Sequence, residues 1–198
     1  KLLLILLCLP MIGFGQGWQQ AYPLQDHNGS ALSVQQTIDG GYITVGYLDN
    51  LNNGDRLIYM VKTDGNGNEQ WAQTFGGTNY DSGNSVQQTT DGGYIICGWT
   101  YSFGNVNGDV YLIKTDGNGV EQWSQTFSGT TFAYGASVQQ TIDGGYIITG
   151  RADSDVFLLK TDGNGQEQWN QTFGGTNYDG GKSVQQTTDG GYIICGWT

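Results

Sequence analysis

The chain has 198 residues, a formal net charge of −11 and 34 glycines. Because nucleic acid and anionic lipid both require a basic face, this charge excludes them as expected partners. The three cysteines form no Cys-x-x-Cys or Cys/His cluster, which excludes a disulfide-rich scaffold and a zinc module.

Residues 1–15 have the pattern of a secretory signal peptide. Lys1 precedes an apolar run that is too short for a stable membrane-spanning helix and ends in small residues. Cleavage after this run would start the mature chain at Gln16. Cys8 lies inside the apolar run, so a lipoprotein anchor is not predicted. We expect a secreted or cell-surface protein, with no membrane insertion after signal cleavage.

Residues 16–32 are predicted to form a lone outer strand and a linker. Trp18 stands in Gly-Trp-Gln-Gln-Ala-Tyr, which resembles Gln-Trp-Ala-Gln-Thr-Phe around Trp71. A lone strand before the first complete unit is what a closed ring needs to complete its last unit. His27 falls in the predicted linker without a nucleophile in a recognisable setting, so we expect no catalytic role for it.

A repeated unit organises the rest of the chain. The motif Ser-Val-Gln-Gln-Thr begins at Ser33, Ser85, Ser137 and Ser183, with spacings of 52, 52 and 46 residues. The predicted units are residues 33–84, 85–136 and 137–182, followed by a partial unit at 183–198. Residues 71–100 and 169–198 differ at three positions of thirty, which indicates a recent duplication.

Turn signals divide each unit into four short strands. In the second unit the predicted strands are Ser85–Thr90, Tyr94–Thr100, Asp109–Thr115 and Glu121–Phe127, separated by Asp-Gly-Gly and Asp-Gly-Asn-Gly turns. The second and third strands are apolar on both faces, so neighbouring units must cover them. Four-stranded blades around an axis satisfy this requirement. The prediction is an all-β protein with about three and a half blades of a larger β-propeller, in a ring of four or of six to eight blades.

The motifs carry a family resemblance. The segment from Asp91 to Gly98, the strand that begins at Asp109, and Gln122-Trp123 with Phe127 resemble the repeats of secreted bacterial β-propeller proteins. The layout is also similar to kelch repeats, and the segment 119–123 resembles the end of quinoprotein propeller repeats. The resemblance covers everything after residue 15. It implies export, often by type IX secretion with a C-terminal sorting domain, and it identifies no ligand.

Three turn motifs have a superficial likeness to calcium loops. They begin at Asp64, Asp116 and Asp162, but phenylalanine stands where the closing acidic residue is required. We therefore expect plain hairpin turns and no cofactor, with structural calcium at the three aspartates as the alternative. Cys97 and Cys195 occupy a position that Val45 fills in the first unit, which predicts a small buried packing site.

Function is expected on the face where the connections vary between units. These are the loops between second and third strands and between successive units, since the other turns are nearly invariant. The predicted ligand-binding residues are Tyr80, Asp81, Tyr101, Phe103, Phe132, Tyr134, Tyr178 and Asp179. The alternative is that Tyr80 and Tyr178 fill gaps between blades.

Three functions remain open from the sequence. The first is an exported, non-catalytic binding or adhesion module whose partner is a polysaccharide or a cell-surface protein. The second is the non-catalytic part of a polysaccharide-active or quinoprotein-like enzyme whose active site lies outside this chain. The third is a structural spacer in a large surface protein.

Overall fold

A computed structural model describes residues 27–198, which form fourteen strands and no helix. The first sheet contains β1 (His27–Gln36), β2 (Tyr42–Asn50), β3 (Arg56–Thr63) and β4 (Glu69–Phe75). The second contains β5 (Asp81–Gln88), β6 (Tyr94–Thr100), β7 (Asp109–Thr115) and β8 (Glu121–Phe127). The third contains β9 (Ala133–Gln140), β10 (Tyr146–Ala152), β11 (Asp155–Thr161) and β12 (Glu167–Phe173). A two-stranded sheet of β13 (Gly180–Gln186) and β14 (Tyr192–Trp197) follows. Within residues 27–198, no helix has the length and apolarity needed to cross a membrane.

Each sheet is an antiparallel meander whose strands lie side by side in chain order. The sheets stack face to face, since β2 contacts β5, β6 contacts β9 and β10 contacts β13. The first strands of successive sheets also contact one another, which places them innermost. We call the sheets blades one to four. The arrangement confirms the predicted all-β class and the propeller-like architecture.

The predicted signal peptide and the predicted lone strand around Trp18 lie outside the described residues. His27 and the residues after it were predicted as linker, but their backbone belongs to β1. β5 likewise starts at Asp81, four residues before the predicted Ser85. The reason is a bulge between Gly83 and Ser85, across which pairing with β6 continues.

Both faces of the middle strands are buried, as the sequence predicts. All seven residues of β7 are buried between blades. Trp71 of β4 packs edge-on against Tyr94 of the next blade, with ring centroids 5.8 Å apart. Burial raises the pKa of Tyr94 to about 12. A side chain at Gly119 would put Cβ 2.7 Å from the Trp71 ring, so this turn of the neighbouring blade requires glycine there.

Corresponding tryptophan–tyrosine pairs join the later blades. Trp123 contacts Tyr146, and Trp169 contacts Tyr192, each with centroids 5.8 Å apart. The predicted place of these tryptophans in the core between blades is confirmed. Cys97 is fully buried in the same core, as predicted. Cys195 is exposed on β14, the edge strand of the two-stranded fourth sheet.

Every complete blade contains a buried lysine. The Lys160 side chain is 3% exposed and its Nζ lies 2.9 Å from an Asp143 carboxylate oxygen. The same ammonium donates to the Thr161 carbonyl at 2.8 Å and to Gln168 Oε1 at 3.0 Å. The equivalent ion pairs are Lys62–Asp39 and Lys114–Asp91. This cluster connects the turn between the first and second strands to the third and fourth strands of the blade, at the invariant face.

The motif Ser-Val-Gln-Gln links the inner strands. Gln87 Oε1 accepts the main-chain N–H of Gln140 at 2.6 Å, and Ser85 Oγ accepts that of Val138 at 3.3 Å. Gln140 Oε1 in turn accepts the N–H of Thr90 at 2.9 Å. Corresponding bonds join blades one and two and blades three and four. The first strand of each blade is an edge strand, so some of its main-chain N–H groups have no strand to pair with. These side-chain oxygens accept their hydrogen bonds instead.

The Asp-Gly-Asn-Gly motifs form hairpin turns. Asp64 Oδ1 accepts the N–H groups of Asn66 at 2.8 Å and of Asn68 at 2.9 Å. The same pattern recurs at Asp116 and Asp162. Within residues 27–198 no group of three or more His, Cys, Asp or Glu residues is arranged to hold a metal. Structural calcium at the three aspartates stays an untested prediction.

Candidate binding face

The loops of varying length gather at one end of the blades. This variable face comprises residues 51–55, 101–108 and 153–154 between second and third strands, and residues 76–80, 128–132 and 174–179 between blades. The invariant turns lie at the opposite end. The rigid sheets below fix where each loop begins and ends, which is the usual basis of a loop-built binding site.

Aromatic side chains form a continuous cluster on this face. Tyr101 lies edge-on to Trp99 at 5.3 Å and stacks on Phe132 at 6.2 Å between ring centroids. Phe132 in turn contacts Tyr134 at 5.9 Å. All four rings are half-buried, so each retains an accessible edge or face. Three of the predicted residues are thus brought together across blades two and three.

Tyr80 and Tyr178 occupy equivalent positions beside blades two and four. Tyr80 is 48% exposed and Tyr178 is 62% exposed. Both rings are therefore accessible to solvent, and the alternative that they fill gaps between blades stays an untested prediction. Each has an arginine near its ring, Arg56 at 5.8 Å from Tyr80 and Arg151 at 5.4 Å from Tyr178.

Phe103 lies apart from the aromatic cluster. Its ring packs on Tyr111 at 5.5 Å between centroids, and 41% of the residue is exposed. It lines a cleft of about 540 Å³ between blades one and two, together with Phe75 and Glu121. The cleft lies along the outer strands β4 and β8 and reaches the variable face at Phe103.

The two predicted carboxylates lie below the surface. Asp81 is fully buried and accepts hydrogen bonds from Thr100 Oγ1, from Ser102 Oγ at 2.6 Å and from the Gly77 N–H at 2.9 Å. It therefore ties the loop between blades one and two to the loop between β6 and β7. The geometry assigns Asp81 to loop anchoring.

Asp179 has a similar position at blade four. It is 7% exposed and accepts the Gly175 N–H at 3.0 Å. Hydrogen bonds from the Thr198 side chain and from Gly175 lower the pKa of its carboxyl. A ligand would therefore reach the tyrosines before it reached either carboxylate.

In blade three, a different residue anchors the loop that precedes the first strand. Ala133 stands at the position of Asp81, and Asp153 replaces the missing carboxylate. Asp153 accepts bonds from the N–H and hydroxyl of Thr130, at 3.1 and 2.7 Å, and of Thr131, at 2.6 and 2.8 Å. Burial opposes ionisation of Asp153, but these bonds lower its pKa below the ordinary value. Its backbone φ of 56° is the left-handed conformation that lets this short loop turn.

Sequence reasoning missed the two arginines of this face. Arg56 lies 3.8 Å from the Tyr47 ring centroid and pairs with Asp49, its Nε 2.7 Å from a carboxylate oxygen. Arg151 lies 5.6 Å from the Phe132 centroid and 5.7 Å from the Tyr134 centroid. Arg151 occupies the position that tyrosine or tryptophan fills in the other blades. This replacement of an aromatic ring by a cation is the sequence feature that could have identified Arg151 as a candidate binding residue.

Comparisons with known proteins identify no family. No protein-family model matches the chain, and no curated protein matches its sequence. Among solved structures, the chain is similar to the crystal structure of Sqt1 from Chaetomium thermophilum, with a TM-score of 0.45 and 15% sequence identity. The alignment covers 82% of this chain and 39% of the Sqt1 chain.

Proposed function

We propose that the chain is an exported, non-catalytic binding module whose variable face contacts a protein partner. The observation that carries the proposal is the half-buried cluster of Trp99, Tyr101, Phe132 and Tyr134, flanked by exposed Tyr178 and by Arg151. Aromatic residues and arginine are the residue types that dominate the energetic centres of protein interfaces.

The anchored loops support this siting. Asp81 and Asp153 hold the loops by several hydrogen bonds each, so the aromatic side chains start from a nearly fixed geometry. A preformed site loses less conformational entropy on binding than a flexible one. Export rests on the signal-peptide pattern of residues 1–15 and on the resemblance to secreted propeller repeats.

A binding screen with matched variants tests the proposal. The secreted form of the chain is probed against a library of cell-surface proteins and against a glycan array. Tyr101→Ala and Tyr178→Ala should weaken binding of a protein hit by about tenfold or more, as for central interface residues. Ile142→Ala is the control, because Ile142 is 86% exposed at the invariant face.

The outcomes separate the alternatives. A protein hit that loses affinity in the tyrosine variants and keeps it in Ile142→Ala supports the proposal. Binding to glycans alone, with the same variant dependence, would assign the face to a polysaccharide. Binding that depends on Ile142 and not on the tyrosines would place the site at the other face and overturn the proposal.

A further inference from the structure

Among residues 27–198, Arg151 has no anionic partner. Its Nε is buried and has no hydrogen-bond partner among residues 27–198. The nearest carboxylate along the chain, Asp153, directs both oxygens to Thr130 and Thr131. Arg56 shows the contrast, since its guanidinium donates to both oxygens of Asp49.

The other cations within blades one to three are occupied. Lys62, Lys114 and Lys160 are buried and paired with an aspartate of their own blade. Among the cations of blades one to three, Arg151 is therefore the one that lacks an ion pair. Leaving such a donor without an acceptor costs free energy, and it is the kind of cost that binding sites retain.

The surroundings of Arg151 favour a charged acceptor over water. Three rings, those of Phe132, Tyr134 and Tyr178, lie 5.4 to 5.7 Å from the guanidinium carbon. Ring faces hold a guanidinium by cation–π attraction but provide no in-plane hydrogen-bond acceptor. The Nε atom of Arg151 is buried, and a poorly solvated surrounding strengthens an ion pair.

We infer that Arg151, framed by Phe132, Tyr134 and Tyr178, is a binding site for a carboxylate. A carboxylate matches the planar fork of guanidinium donors and forms the strongest class of hydrogen bond available to it. The inference rests on the proposed function, because it names the group that the partner presents to the variable face.

The net charge of the chain favours a protein over an acidic polysaccharide as the molecule that carries this carboxylate. A polyuronate carries a negative charge on each sugar and would be repelled by a protein of net charge −11. A protein segment with one acidic side chain among neutral or basic residues avoids that repulsion. The occupant is therefore an aspartate or glutamate side chain of a protein partner.

A titration with a matched pair of probes tests the site. The probes are N-acetylglutamate α-amide and its neutral counterpart N-acetylglutamine α-amide, and the readout is the ¹⁵N–¹H resonance of Arg151 Nε. Loss of that resonance in Arg151→Lys assigns it, and the Arg56 resonance is the internal reference. We expect saturable shifts at Arg151 with the acidic probe and affinity at least about tenfold weaker with the neutral probe.

Three results would overturn the inference: no shift at Arg151, equal shifts with both probes, or an equal shift at Arg56. Digalacturonate is the third probe, and tighter binding of digalacturonate than of the acidic amino-acid probe would assign the site to a polysaccharide.

Failure of this site and failure of the proposed function are distinguishable. If a protein hit depends on Tyr101 but binds Arg151→Gln unchanged, the binding face stands and the carboxylate site is wrong. Circular dichroism of Arg151→Gln confirms that the variant folds. If Arg151 binds the acidic probe but no protein or glycan depends on the face, the proposed function fails and the site stands.

Discussion

Gln87 and Gln140 lie on neighbouring inner strands, and the side-chain oxygen of the first accepts the main-chain N–H of the second at 2.6 Å. The bond explains why the motif carries two glutamines, since the first reaches forward to the next blade and the second reaches back. Cohesion between blades is thus encoded in side chains of the innermost strand.

Gln87→Leu should destabilise the chain by about 1 kcal/mol, because the Gln140 N–H loses its acceptor. Urea denaturation followed by tryptophan fluorescence measures the change. Gln185→Leu is the matched control, since Gln185 is exposed and accepts no corresponding bond in the described chain. Equal effects of the two substitutions would show that the bond contributes nothing.

The two members of the Lys160–Asp143 ion pair should contribute unequally to the free energy of unfolding. Asp143→Asn should be more destabilising than Lys160→Met, because the first change leaves an ammonium buried without a counter-ion, at a cost of about 3 kcal/mol or more. Lys160→Met leaves a carboxylate that is 57% exposed and reaches water. Denaturant unfolding of both variants gives the order, and the reverse order would contradict this assignment of the burial cost.

Stability should fall at acid pH. Hydrogen bonds from Thr141 and from Lys160 lower the pKa of Asp143 from 3.8 to about 2. Because the folded pKa lies below the unfolded one, the stabilisation is complete above the unfolded value and is lost as the pH falls through the folded value. Thermal unfolding between pH 5 and pH 2 should therefore show a steeper decline for the parent chain than for Asp143→Asn. Parallel curves of stability against pH for the two proteins would be evidence against a lowered pKa of Asp143.

Tyr178→Ala should change the free energy of unfolding by less than about 0.5 kcal/mol, as is usual for an exposed side chain. Phe132→Ala should cost more, because Phe132 is half-buried between Tyr101 and Tyr134. Chemical denaturation of the two variants checks both values. A large loss of stability in Tyr178→Ala would favour the alternative that Tyr178 fills a gap between blades.

The two cysteines of the described chain should differ in reactivity. Burial raises the pKa of the Cys97 thiol and excludes reagent, whereas Cys195 is exposed. Iodoacetamide should modify Cys195 in the native protein and Cys97 only after unfolding, as read by peptide mass mapping. Modification of both thiols at similar rates under native conditions would mean that the second blade opens readily.

The sequence predicted most of the blade because its turns carry strong local signals. The bounds expected for β6, β7 and β8 are those observed, since Asp-Gly motifs delimit these strands. The start of β5 was missed because Gly83 and Asn84 interrupt the hydrophobic pattern while pairing continues through a bulge. Periodicity alone does not reveal such a bulge.

The candidate site was less predictable than the fold. Tyr101, Phe132 and Tyr134 were predicted to lie on the variable face, and their rings contact one another there, because the sheets bring the loops to one end. The burial of Asp81 depends on a hydroxyl from another loop, Ser102, which no local pattern encodes. Arg151 was overlooked because a single arginine in a strand forms no motif.

The lysine–aspartate pair and the glutamine bonds together make each repeat a complete module. One module contains both members of its buried ion pair and both halves of the connection to an identical neighbour. Copying the segment in the gene therefore extends the protein without any new compensating substitution. Residues 71–100 and 169–198, which differ at only three positions, are two such near-identical segments.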